Sequence, residues 1–98
     1  MGELLRDAEI GKALGQLPRW RLVEGGLERE VELDSFPQAI QVVNRVAEIA
    51  ENDDHHPDID IRWRTLRFRC STHSVNGITA KDVRLAAEID GVVESISA

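Results

Sequence analysis

Two runs of strict alternation between apolar and polar residues, at 58–64 and 65–70, limit the possible folds more than any other part of the chain. Every second position is apolar, first in one run and then in the next: Ile59, Ile61, Trp63, Leu66, Phe68 and Cys70. A period of two is that of a β-strand, and its clean form predicts two antiparallel strands buried on one face only. The charged residues between them are then expected on the uncovered face.

The first third of the chain predicts a helix followed by a β-hairpin. Apolar residues at helical spacing predict a helix over 7–17, capped by Asp7 and ended by Pro18. Imperfect alternation on both sides of the turn at 24–26 then predicts two short strands.

Two further helices are predicted around the alternating segment. A long one starts at Asp34 or Ser35 and ends near Asn52. Its apolar stripe consists of Ala39, Val42, Val43, Val46, Ala47, Ile49 and Ala50. Thr79 and Asp82 have the spacing of a capping box and predict the start of the last helix. The inner side of that helix is expected to present Val83, Ala86, Ala87, Ile89 and Val93.

The resulting order, α-β-β-α-β-β-α, predicts an α+β fold in which three helices pack on one face of a four-stranded antiparallel sheet. No linker, repeat or low-complexity segment interrupts residues 1–98, so one domain is expected.

Composition excludes several classes of protein. Twelve basic against eighteen acidic residues give a net charge of −6, which disfavours a nucleic-acid or anionic-membrane binder. Four arginines (Arg62, Arg64, Arg67 and Arg69) share the uncovered sheet face, but no aromatic residue lies among them to stack a base. A single cysteine cannot form an internal disulfide, and no apolar run approaches the length of a membrane span. A cytoplasmic location is expected.

The chain has three histidines, His55, His56 and His73, and strand pairing is expected to bring them together. They lie before the third predicted strand and at the end of the fourth, and in a hairpin the start of one strand lies beside the end of the other. Imidazole is the side chain best suited to exchange protons near pH 7. The pattern therefore predicts a site for general acid/base chemistry.

The acidic residues around the histidine pair leave two questions. A metal site in the segment 53–60 is the weaker interpretation, because adjacent histidines in an extended segment point in opposite directions and Cys70 falls on the apolar face. Glu51 or Asp54 could orient a histidine, or these acids could simply be solvated at the end of the long helix. The sequence leaves both interpretations of the acids open.

Two motifs resemble those of the pterin-4a-carbinolamine dehydratases. ENDDHHPD at 51–58 and STHSVNGIT at 71–79, followed by Asp82, match the family's E-x-x-x-H-H-P and T-H-x-x-x-G elements at the same separation. LPRW at 17–20 and the spacing of Phe36 and Ala39 agree with the family's flanks. The resemblance covers nearly the whole chain and implies the same α+β fold.

The resemblance implies a reaction and its residues. The family removes water from a 4a-hydroxytetrahydropterin, which is left when an aromatic amino acid hydroxylase has used its cofactor, and it needs neither a metal nor another cofactor. It implies catalysis by His55, His56 and His73, with Glu51 and Asp82 in support. The pterin would contact these histidines together with Pro57, Thr72, Ser74 and Val75.

This chain departs from the family pattern at two positions. Ile59 stands where a tryptophan is usual and Trp63 where a tyrosine is usual. By parity both are expected on the apolar strand face, within the core.

The resemblance also raises other functions. Some family members are dimerisation cofactors of a transcription factor, so a protein-interaction module is one alternative, and a pterin-binding module without turnover is another. The only lysines, Lys12 and Lys81, lie outside the predicted strands, so the sheet edges lack the charges that discourage pairing. At least a homodimer is expected, and a homotetramer in preference.

Overall fold

The computed structural model describes residues 3–97 and has the predicted order of elements. The helices are α1 (Asp7–Gly15), α2 (Phe36–Asp53) and α3 (Ala80–Ser97), and a 3₁₀ turn spans His73–Val75. The strands are β1 (Arg21–Val23), β2 (Gly26–Glu32), β3 (Asp58–Arg62) and β4 (Thr65–Cys70). They form one antiparallel sheet in the order β1-β2-β4-β3. The α+β prediction is confirmed.

The core lies between one face of this sheet and the helices. Leu66, Phe68 and Cys70 of β4 have no exposed surface, which confirms the one-sided burial predicted from the alternation. Burial, together with nearby carboxylates, raises the pKa of the Cys70 thiol far above its usual value. The thiol is therefore neutral and packs as a small apolar side chain.

Trp63 is the largest departure from the sequence prediction. It lies in the turn between β3 and β4 with a φ of 56° and is 84% exposed, so its placement in the core was wrong. Ile61, near the end of the edge strand β3, is also exposed (41%), while Ile59 in the same strand is half-buried. Parity predicts a face only while the strand continues, and β3 ends at Arg62.

The helix ends and inner faces need smaller corrections. Arg6, not Asp7, precedes the first turn of α1, and its backbone N–H donates to Glu9 Oε1 at 2.9 Å. Ala47 and Ala87, which were assigned to inner faces, are exposed. Both fall at the margin of an apolar stripe, where helical spacing alone does not decide which side chains the sheet covers.

The predicted start of α2 is confirmed. The Ser35 hydroxyl accepts a hydrogen bond from the backbone N–H of Gln38 at 3.1 Å, which satisfies one of the free donors of the first turn. At the other end, Asp54 adopts a left-handed conformation with a φ of 52°, and the N–H of His55 donates to Ala50 O at 3.0 Å. This cap sets the direction in which the chain leaves the helix.

Strand register brings the two histidine segments together. Asp58 at the start of β3 pairs with Arg69 near the end of β4. The residues that precede β3 and those that follow β4 therefore meet at one end of the sheet, as predicted.

The arginines of the uncovered face are paired with carboxylates. Ion pairs join Arg67 to Glu30 at 3.3 Å and Arg69 to Glu28 at 3.0 Å across neighbouring strands. The sheet face consequently has both signs of charge. No helix within residues 3–97 is long and apolar enough to span a bilayer.

Candidate active site

All three histidines line one open cavity of about 280 Å³ at the end of the sheet. The cavity is bounded by the end of α2, the segment after β4 and the first turn of α3. Its lining residues are Asp54, His55, His56, Ser71, Thr72, His73, Ser74 and Lys81. The predicted convergence of the histidines is therefore present in the fold. We call this the histidine cavity.

His55 is held from behind by a buried carboxylate. Its Nε2 lies 2.6 Å from Oδ1 of Asp82, whose side chain is fully buried, and the imidazole itself is only 12% exposed. An ionised carboxylate only accepts hydrogen bonds, so Nε2 bears the hydrogen in this contact. In the neutral ring the free lone pair is then on Nδ1.

Asp82 in turn is fixed by two threonines. Its Oδ2 accepts hydrogen bonds from the Thr72 hydroxyl at 2.7 Å and from the Thr79 N–H at 2.9 Å. Because the single Thr72 proton is used on Asp82, the Thr79 hydroxyl donates to Thr72 across their 2.9 Å contact. Thr79 Oγ1 also accepts from the N–H of Lys81 at 3.2 Å.

The Thr79 N–H bond to Asp82 is one half of the predicted capping box at the start of α3, while the Thr79 hydroxyl accepts from the N–H of Lys81 instead of that of Asp82. One aspartate therefore caps the helix and positions the histidine, so the site is rigidly attached to the fold.

His56 points to a different partner in a different environment. Its Nε2 lies 2.9 Å from Oε1 of Glu51 in the last turns of α2. Here the imidazole is 59% exposed and the carboxylate 81% exposed. Of the two acids left open by the sequence, Glu51 contacts a histidine, whereas Asp54 lines the cavity.

His73 begins a short loop that closes on itself. The N–H of Thr72 donates to Gly77 O at 2.7 Å, and Asn76 turns the chain with a φ of 55°. His73 is exposed and lines the cavity. It follows the end of β4 by three positions, since the strand stops at Cys70.

The cavity includes most, but not all, of the residues expected at the pterin site. Thr72 and Ser74 line it, whereas Pro57 and Val75 are half-buried and lie outside its lining. Ser71 and Lys81 line it although the sequence did not single them out as site residues. Lys81 could have been found from its place in the first turn of α3, between Thr79 and Asp82.

Acid/base chemistry on a small polar molecule is what this arrangement can perform. Three imidazoles surround an open volume, one of them fixed by a carboxylate, and hydroxyl groups lie between them. Within the described residues, no group of three or more His, Cys, Asp and Glu side chains is arranged to bind a metal ion.

Known proteins share this sequence pattern and this fold. The family model described as pterin 4 alpha carbinolamine dehydratase matches residues 3–92. A Nocardia farcinica protein with the provisional name pterin-4-alpha-carbinolamine dehydratase is 53% identical over 88 residues, 90% of this chain and 93% of its own.

Two solved structures are also similar. A Brucella melitensis protein described as a transcriptional coactivator/pterin dehydratase has a TM-score of 0.89 at 27% identity, covering 92% of this chain and 98% of that one. A pterin dehydratase-like protein described as a RuBisCO assembly factor in the alpha-carboxysome has a TM-score of 0.62 at 16% identity, over 76% and 86% of the two chains. The second similarity is one of fold alone. The match over residues 3–92 shows that the chain belongs to the pterin-4a-carbinolamine dehydratase family.

Proposed function

We propose that this chain dehydrates a 4a-hydroxytetrahydropterin, with His55, His56 and His73 as its acids and bases. The observation that supports this most is that all the histidines of the chain line one cavity. The substrate would come from an aromatic amino acid hydroxylase, so the reaction would recycle that enzyme's cofactor, and we place it in the cytoplasm.

Dehydration of the carbinolamine moves two protons and changes no oxidation state. A general acid protonates the C4a hydroxyl, which leaves as water while the N5 lone pair forms the C4a=N5 bond. A general base removes the N5 proton, so the products are a quinonoid dihydropterin and water. Each positioned acid or base typically contributes about 10²–10⁴ in rate.

His55 is suited to accept a proton in this reaction. With Nε2 bonded to Asp82, its Nδ1 lone pair is free to take the N5 proton. The buried negative charge of Asp82 then stabilises the imidazolium. Thr72 and Thr79 keep that carboxylate in place through the proton transfer.

A direct assay tests the proposal. An aromatic amino acid hydroxylase generates the 4a-hydroxytetrahydropterin, and its disappearance is followed by absorbance with and without the purified chain. We expect catalysis by the wild type, unchanged after dialysis against EDTA, and a strong loss in the variant without its three histidines. A rate equal to that of the uncatalysed dehydration would overturn the proposal, and EDTA-sensitive, Zn²⁺-restored turnover would favour a metal site instead.

A protein-interaction role is the second candidate, and the edge strand β3 favours it. Within residues 3–97, β3 lies at one edge of the sheet, and two large apolar residues are exposed there: Ile61 in the strand and Trp63 in the turn that follows. We propose at least a homodimer. Sedimentation velocity at micromolar concentration tests this, and an active species with the mass of one chain would contradict it.

A further inference from the structure

The position of His73 in the histidine cavity depends on its own loop rather than on a side-chain partner. Within residues 3–97, a carboxylate holds the ring of His55 and another that of His56, but no side chain forms a hydrogen bond with the ring of His73. The His73 side chain is also exposed. The backbone of the loop at 72–77 must therefore place this imidazole.

Two backbone hydrogen bonds close the loop by joining its ends. The N–H of Thr72 donates to Gly77 O at 2.7 Å, and the N–H of Gly77 donates to Thr72 O at 3.3 Å. The Thr72 end is held a second time, because its hydroxyl donates to the buried Asp82. Gly77 has no side chain, so an anchor for the other end has to come from another part of the chain.

The segment that precedes α1 supplies this anchor through two leucines. The N–H of Leu5 donates to the carbonyl oxygen of Ile78 at 2.9 Å, and Ile78 itself is buried in the core. Leu4 lies against Gly77, with its Cδ2 only 2.5 Å from the point that a Cβ on Gly77 would occupy. We call Leu4 and Leu5 the leucine clamp.

The contact with Leu4 gives a reason for the glycine at position 77. Its φ is not in the left-handed region, so the backbone conformation does not require glycine. A Cβ there would instead displace the end of the Leu4 side chain. The glycine of the T-H-x-x-x-G element therefore permits a close approach, and that approach joins the segment before α1 to the loop of His73.

We infer that the leucine clamp positions His73 for the proton transfers by holding its loop closed. Neither leucine lines the histidine cavity, so both act through the backbone of the loop and are positioning residues. This inference rests on the proposed function and adds to it a part of the chain that the site residues do not include.

The clamp can be broken from either side, and each side has a matched control. Leu4→Ala removes the side chain, and Gly77→Ala pushes it away from the loop. Leu22→Ala on β1 removes a leucine of similar exposure, 49% against 54% for Leu4. Gly11→Ala in α1 adds a Cβ where nothing lies within 4 Å. The dehydration assay measures kcat for each variant, and Leu4→Ala is also made in His73→Ala.

We expect Leu4→Ala and Gly77→Ala each to lower kcat about 5-fold, the factor that corresponds to losing the partial burial of one leucine. Because both break one contact, the double variant should lose no more than either single variant. In His73→Ala, the further change Leu4→Ala should leave kcat unchanged, and the controls should keep the wild-type kcat. An equal loss with and without His73 would overturn the inference, because a merely structural contact would affect both proteins alike.

Amide hydrogen exchange tests the clamp without turnover. The N–H of Thr72 exchanges when its bond to Gly77 opens, so NMR should show about 5-fold faster exchange there in both clamp variants and in neither control. The N–H of His55, which donates to Ala50 O, is the internal reference. If the wild type fails to dehydrate the substrate, the proposed reaction is wrong, and the inference then stands or falls on this exchange. An unchanged Thr72 exchange rate in both variants overturns it in either case.

Discussion

Two histidines that are neighbours in the sequence have opposite surroundings in the fold. His55 is 12% exposed and bonded to a fully buried carboxylate, whereas His56 is 59% exposed and faces a carboxylate that is 81% exposed. The two N···O distances, 2.6 and 2.9 Å, are similar. Distance therefore does not explain how differently the two rings are held.

The difference is one of burial and connection. The partner of His55 accepts two further hydrogen bonds from Thr72 and Thr79, so its orientation is fixed by several elements. An exposed pair such as His56 and Glu51 is worth only about 0–1 kcal/mol, because water and salt screen it. One histidine is thus part of the folded framework, whereas the other is held only by an exposed contact.

The largest effect is expected from breaking the framework at Asp82. Asp82→Ala should lower the free energy of unfolding by about 3 kcal/mol, since it removes a helix cap and leaves buried donors unpaired. Asp82→Asn keeps the volume but removes the charge, and should lower kcat about 10–100-fold. Urea unfolding and the dehydration assay measure the two effects.

Asp60→Asn on the outer sheet face is the matched control, with an expected stability change within about 0.5 kcal/mol. If Asp82→Asn matched this control in both measurements, the network would have no special role.

Removing each imidazole in turn compares directly what the two histidines contribute to stability and to the rate. His55→Ala should lower the free energy of unfolding by about 1–3 kcal/mol, because the Asp82 carboxylate loses a partner inside the protein. His56→Ala should change it by less than about 0.5 kcal/mol. Both should lower the dehydration rate about 10-fold or more. Equal stability losses would show that burial does not distinguish the pair.

A smaller effect is expected at the exposed partner. Glu51→Gln keeps the shape of the side chain and should change kcat less than about 3-fold, with a stability change within about 0.5 kcal/mol. The comparison with Asp82→Asn, made in the same assay, measures what burial adds. If Glu51→Gln lowered kcat as much as Asp82→Asn does, the prediction that burial makes the difference would be contradicted.

The smallest effect is expected at Glu88, whose carboxyl group lacks the set of hydrogen bonds that Asp82 accepts. Glu88 Oε1 is buried without a hydrogen-bond partner, and Arg84 lies 3.8 Å from Glu88 and 3.8 Å from Asp53. Burial, and then the neighbouring Asp53 carboxyl, raise the pKa of Glu88 above its usual 4.5, while Arg84 lowers it.

The folded protein therefore holds this proton to higher pH than the unfolded chain does. Its contribution to stability is complete below pH 4.5 and is lost as the pH rises through the folded pKa. Glu88→Gln should remove that loss. The free energy of unfolding in urea, variant minus wild type, should therefore increase as the pH rises. Glu48→Gln, at an exposed site on α2, is the control, and an equal gain there would contradict the prediction.

Local patterns predicted the elements better than they predicted burial at the ends of those elements. The alternation through Phe68 identified two strands and their buried face, and the spacing of Thr79 and Asp82 identified a helix start. Trp63 was misplaced because parity carries no information beyond the last paired residue, and here a turn intervenes. Side-chain exposure at a turn depends on which elements cover it.

Local sequence patterns predicted which residues could do the chemistry and which end of the sheet would hold them. Strand periodicity and hairpin pairing are local properties, and together they bring His55 and His56 to His73. The tertiary structure decided which histidine is fixed and by what. Asp82 lies 27 positions from His55; its spacing from Thr79 predicted a helix cap, and the family resemblance implied a supporting role without naming the histidine it contacts. Its second role arises when α3 packs on the sheet and excludes water from both side chains, and long-range packing of that kind leaves no periodic signal in the chain.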